Sequence, residues 1–149
     1  MRFEFRTSMG TPEVGGELTV KLDGRVVRGI SVSMGNPHFV VFVPEFEPGW
    51  QAWTTLISTH PDFPKGTNVE LVHVLNDHDI DVRFCERGVG ETMSSGTGSS
   101  AAAAASIYSG RAISPVQVHA PGGTQTVEWD RELFLYGPAT ILCRGDFFV

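Results

Sequence analysis

No segment of this sequence approaches the run of ~20 apolar residues that a helical membrane span needs. Its longest strongly apolar stretch, HFVVFV at 38–43, has the length of a strand. Positive charge is scarce as well. There are 11 lysines and arginines against 17 aspartates and glutamates, a net charge of −6, and no basic patch stands out. Nucleic acid and anionic membrane are thereby disfavoured as main partners. Only two cysteines occur, Cys85 and Cys143, each in an apolar, strand-like run (VRFCE and TILCR). Both are expected to be buried free thiols rather than a disulfide pair. The five histidines are scattered, and no Cys/His spacing suggests zinc. The opening MRFEFRTSMG alternates apolar and charged residues and lacks the apolar centre of a secretory leader. A cytoplasmic location is therefore expected.

What remains fits one domain over residues 1–149. Hydrophobic residues make up 41% of the chain and charged residues 19%, an ordinary soluble composition. A chain of this length buries roughly 70% of its unfolded surface. Residues 2–6 and 17–22 alternate like strands. Asp23-Gly24 is a hairpin signal, returning through 25–33 as the partner strand. Residues 38–43 read as a buried strand. Trp50, Trp53, Thr54 and Ile57 recur at helical spacing, and His60-Pro61 ends that helix, since a residue before proline avoids helical angles. Strands are expected at 68–75 and 79–85, a second helix at 97–109 with Gly110 as its stop, then strands at 116–120, 124–129, 132–136 and 139–143. The pattern predicts an α+β fold with a mixed, mostly antiparallel sheet. Ala101–Ala105 are apolar on every side but tiny, whereas a surface helix shows a polar stripe. This places the second helix at the centre with the sheet curled around it. The alternative is a surface helix with an exposed alanine face.

Residues 86–105 read ERGVGETMSSGTGSSAAAAA. Gly96-Thr97-Gly98 stands directly before the alanines. The first turn of a helix carries unsatisfied N–H groups and a partial positive charge, and glycines let an anion approach them closely. A substrate carboxylate or phosphate fits there, with Thr97 as a hydroxyl donor. Plain N-capping by Ser99 or Thr97 explains the same residues. The lysine of a phosphate-binding P-loop is missing. Arg87 offers a bidentate fork to a second carboxylate, and Glu86 an acceptor for an ammonium group. Taken singly, Glu86-Arg87 reads as a surface ion pair, Gly35-Asn36-Pro37-His38 as a turn, and Asn68 as a strand start.

Together, SVSMGNPH at 31–38, HPDFPKGTNVE at 60–70 and ERGVGETMSSGTG at 86–98 closely resemble the diaminopimelate epimerases, in that family's order. The resemblance covers most of the chain but only the family's C-terminal half, and TSMGTPE looks like the first strand after its domain crossover. It implies a two-domain enzyme with a sheet wrapped around a central helix in each half and the site in the cleft between them. It implies one catalytic cysteine per half, and neither pyridoxal phosphate nor metal. One thiolate takes the α-proton and the other thiol returns a proton to the opposite face, interconverting LL- and meso-diaminopimelate for lysine and peptidoglycan synthesis. By position, Asn36, Asn68 and Arg87 hold the distal end of this amino-acid substrate. His38 and Glu86 flank the reacting centre, and Gly96 and Thr97 hold the α-carboxylate.

Two departures stand out. The family's second cysteine is replaced by Ser95, a far weaker acid than a thiol of pKa ~8.5 and one needing its own base. His38 is a candidate for that base. Neither Cys85 nor Cys143 stands at the family position. The N-terminal half, with the other thiol, is also missing as a partner, so this chain alone is expected not to epimerise. A truncated enzyme, one subunit of a split enzyme, a one-base dehydratase or isomerase of the same fold, and a non-catalytic amino-acid-binding domain all remain open. The inner face such a half leaves uncovered favours self-association, at least to a dimer.

Overall fold

The computed structural model describes all residues from Met1 to Val149. Asp23-Gly24, with Gly24 in the left-handed region at φ 72°, turns β2 (Glu13–Leu22) into β3 (Arg25–Ser33). β4 (Pro37–Phe42) follows, then α1 (Trp50–Ser58), β5 (Asn68–Asn76), β6 (Asp79–Glu86) and the short β7 (Gly90–Thr92). After α2 (Gly96–Tyr108) come β8 (Val116–Ala120), β9 (Gly123–Trp129) and β10 (Leu133–Thr140), which pairs with the opening strand β1 (Arg2–Gly10).

All ten strands form one sheet, in the order β1-β10-β9-β8-β6-β5-β4-β3-β2, with β7 beside β6. Only β4/β5 and β6/β8 are parallel. A parallel pair needs a crossover, and those two connections contain α1 and α2. The helices lie on opposite faces. Strand alternation sends Phe39, Val41, Val69, Leu71 and Cys85 toward α1, where they join Trp50 and Ile57. It sends Ile30, Val32, Val40, Val72, Val82 and Phe84 toward α2, where Val116, Val118, Val127 and Leu133 close in from the other arm of the sheet. Ala101 to Ala105 are all fully buried. The helix is therefore central, the sheet curls around it, and its methyl-sized side chains are what let strands approach from every side. α2 stops at Gly110, φ 72°, as the glycine signal predicts.

The structure departs from expectation at the chain's end. Residues 139–143 are not a separate strand. β10 runs unbroken through Gly137-Pro138 to Thr140, and residues 141–149 carry no regular structure. β9 pairs only with Leu133–Tyr136, so beyond Tyr136 the strand has a partner on one side, where proline is tolerated. Cys143 consequently lies past the last strand and is exposed, while Cys85 is a buried free thiol on the α1 face. β1 is longer than its alternating 2–6 core, and β7 was not anticipated because three residues are too few to show a period.

Candidate active site at the start of the central helix

The candidate side chains converge because three strands end or begin at one edge of the α2 face. His38 stands near the start of β4. Asn68 opens β5 and pairs with His38 in register. Glu86 closes β6. Strand alternation puts all of them on the same face as Val40, Val72 and Phe84, and α2 begins beside them.

Ser95 is the N-cap of α2. It has extended backbone angles, and its Oγ accepts the Gly98 N–H at 3.0 Å. Neither residue suggested for this task performs it: Ser99 donates to Gln125 at 2.8 Å, and Thr97 Oγ1 receives the Asn36 amide at 3.3 Å. A Cβ on Gly98 would lie 2.9 Å from Glu70 Oε1, Phe84 and Ser95 Oγ, so the loop needs this glycine for close approach. Gly96 and Thr97 stay partly exposed at the helix end. Hollows of about 380 and 300 Å³ open alongside. The larger is lined by Ser33, Gly35, Asn36, Pro37 and residues 62–66, the smaller includes His38 and Thr67, and neither reaches Gly96 or Thr97.

His38 is almost fully buried. Its Nδ1 meets Glu70 Oε1 at 2.8 Å and its Nε2 meets Asn36 Oδ1 at 3.0 Å. With both nitrogens so engaged, the ring makes no hydrogen bond to Ser95, and the idea that it serves as the serine's base finds no contact. Asn68 is a staple: its amide donates to Pro37 O at 3.1 Å, and its oxygen accepts the Arg87 backbone N–H at 2.8 Å. Arg87 itself is exposed, with one guanidinium bond, 2.9 Å to Lys65 O. Gly66 makes room for its stem, since a Cβ there would lie 2.8 Å from Arg87 Cδ. Glu86 accepts from Thr92 Oγ1 at 2.7 Å.

The residue missed at the sequence level is Glu70. Burial pushes its carboxyl above the usual glutamate range; His38 opposes that rise and the nearby Glu86 charge adds to it. The signal was present, a lone carboxyl in the otherwise apolar VELV of a central strand. No group of three or more His, Cys, Asp and Glu side chains is placed to hold a metal ion. The arrangement offers a polarised helix end, a hydroxyl and an exposed guanidinium with donors left over from its one bond to Lys65 O, which suits a ligand carrying carboxylates.

Comparisons with known proteins agree on the family and on the fold. The family model described as diaminopimelate epimerase matches residues 30–142. The diaminopimelate epimerase of Moorella thermoacetica is 43% identical over 133 residues, covering 86% of this chain and 47% of its own length. That of Corynebacterium glutamicum is 40% identical over 148 residues, covering 96% and 53%. The chain thus spans about half the length of the curated relatives it matches. Among solved structures, a probable proline racemase from Agrobacterium radiobacter superposes with TM-score 0.66 at 16% identity, over 95% of this chain and 54% of that one. A PhzF-family phenazine biosynthesis protein from Bacillus anthracis gives 0.60 at 14%, over 93% and 57%. At those identities the likeness is one of fold.

Proposed function

The chain belongs to the diaminopimelate epimerase family, and from that premise we propose that it is the C-terminal half of a cofactor-independent diaminopimelate epimerase, the half that grips the substrate's α-carboxylate. The observation that carries this reading is the partly exposed Gly96-Thr97 start of α2, tied through Asn36 to the buried His38. Free N–H groups at the helix end and the Thr97 hydroxyl bind the carboxylate. As the α-proton leaves, charge moves onto that carboxylate, and the fixed helix dipoles stabilise it there. Arg87 takes the distal carboxylate, and Asn36 and Asn68 frame the distal end. Glu86 and His38 shape hydrogen bonding beside the reacting centre.

Stereoinversion requires a base on one face of the α-carbon and an acid on the other. A thiolate removes the proton, leaving its electron pair on carbon, and a thiol on the opposite face supplies a new one. This chain presents Ser95 on its side and needs a second, thiol-bearing half for the other, so it does not epimerise alone. Solvent deuterium incorporation tests this. The chain alone leaves LL-diaminopimelate unlabelled, whereas Ser95→Cys mixed with the N-terminal half of a relative labels the α-carbon. Inversion by the unaltered chain alone, or no label from the mixture despite bound substrate, overturns the reading. The Ser95 capping bond favours a second reading, an amino-acid-binding domain without chemistry. Calorimetric binding with no exchange in any mixture would decide for it.

A further inference from the structure

Glu70 stands behind His38, fully buried on a central strand, and its Oε2 has no hydrogen-bond partner. A buried carboxylate with an orphan oxygen is costly. A buried ion pair does not remove that cost unless its remaining lone pairs are satisfied. The neutral carboxylic acid is the cheaper occupant. Its Oε1–H then donates to His38 Nδ1, which leaves the ring proton on Nε2, donating to Asn36 Oδ1. The Asn36 amide donates in turn to Thr97 Oγ1. Each group gives its proton forward, so the Thr97 hydroxyl has an occupied acceptor site and turns its own hydrogen outward.

We propose that Glu70 is a positioning residue: as a proton donor it locks His38 in the Nε2–H tautomer and, through Asn36, aims the Thr97 hydroxyl at the anion held by the start of α2. The last link rests on the carboxylate reading given above, while the tautomer does not. Burial, which raises the Glu70 carboxyl, works in the same direction. Gly98 belongs to the device too, since only glycine lets the first turn of α2 lie against Glu70 Oε1.

Imidazole-tuned proton–nitrogen correlation spectra of the full nitrogen-15-labelled chain test it. The unaltered chain should show His38 neutral with its proton on Nε2. Glu70→Gln, whose amide N–H donates from the same place, should keep that tautomer, and Glu70→Leu should give a mixture. An Nδ1–H ring or an imidazolium in the unaltered chain overturns the proposal even if Glu70→Leu does not fold. So does an unchanged tautomer in folded Glu70→Leu. Titrating the same labelled chain with meso-diaminopimelate separates the two readings. Amide shifts at Gly96 and Thr97 that need about fivefold more ligand in Thr97→Val, a typical single hydrogen-bond loss, support both. The expected tautomer with no shift at Gly96 or Thr97 keeps the Glu70 chain and removes the carboxylate site.

Discussion

Toward α1 the sheet presents Phe39, Val41, Val69, Leu71 and Cys85, met by Trp50 and Ile57, large groups that interlock. Toward α2 it presents Val40, Val72, Val82 and Phe84, met by five alanines. The first face is filled by the helix's side chains. The second is filled by the sheet, and the helix is little more than backbone. That difference sets the N-terminal end of α2 apart. A helix stripped to backbone brings its N-terminal amides close to the strands around it, and it is on this face, at this end, that the strands carry His38, Glu70 and Glu86, with Asn36 in the turn that leads into β4. The α1 face turns polar only at its opposite end, where His73, Asp81 and Arg83 gather around Phe46, with Arg83 already paired to Asp81.

Three changes would sharpen the contrast. The largest loss should come from Ile57→Ala, which removes a fully buried side chain from the interlocked face and should cost about 2–5 kcal/mol in urea denaturation. On the other face truncation is not available, and enlargement should do the damage. Ala103→Leu should cost about 1–3 kcal/mol, and equal tolerance of both substitutions would show that the two faces are packed alike. Ser95→Ala should cost about 1 kcal/mol, the usual value of an N-cap. A smaller change would mean that the Ser95 bond to Gly98 contributes little and that the position is kept for other reasons.

The gentlest probe is pH. Glu70, faced by His38 from β4 and Glu86 from β6, has a folded pKa above the ordinary 4.5. Between those two values the folded chain holds a proton that the unfolded chain has released. Stability is therefore complete below the ordinary value and declines as pH rises through the raised one. Glu70→Gln should flatten that decline in urea midpoints measured from acid to neutral pH. Identical slopes would show that Glu70 titrates normally.

Much of this was legible in local residue patterns. The Asp23-Gly24 hairpin, the two helices and the central position of the alanine segment follow from turn chemistry, periodicity and side-chain size, all local properties. What escaped depended on distant partners. The strand through Gly137-Pro138 exists because β1, at the other end of the chain, pairs with it, and Cys143 is exposed because that pairing stops at Thr140. The capping role of Ser95 was hidden by competing hydroxyls within a few positions, and only the Asn36 and Gln125 contacts of Thr97 and Ser99 decide among them. Glu70 went unremarked because its meaning lies in His38, which reaches it only when β4 and β5 pair.

Beyond Tyr136, β1 and β10 continue as a two-stranded ribbon, and its far end brings Arg2 opposite Thr140, with Ile141 N–H bonded to Met1 O at 3.0 Å. Antiparallel hydrogen bonds run perpendicular to the strands, so tension applied between the two chain ends loads one pair at a time, as in a zipper, rather than shearing all of them together. A mechanical pull is thus spent peeling the ribbon, and the strands wrapped on the alanine helix feel none of it until the ribbon is open.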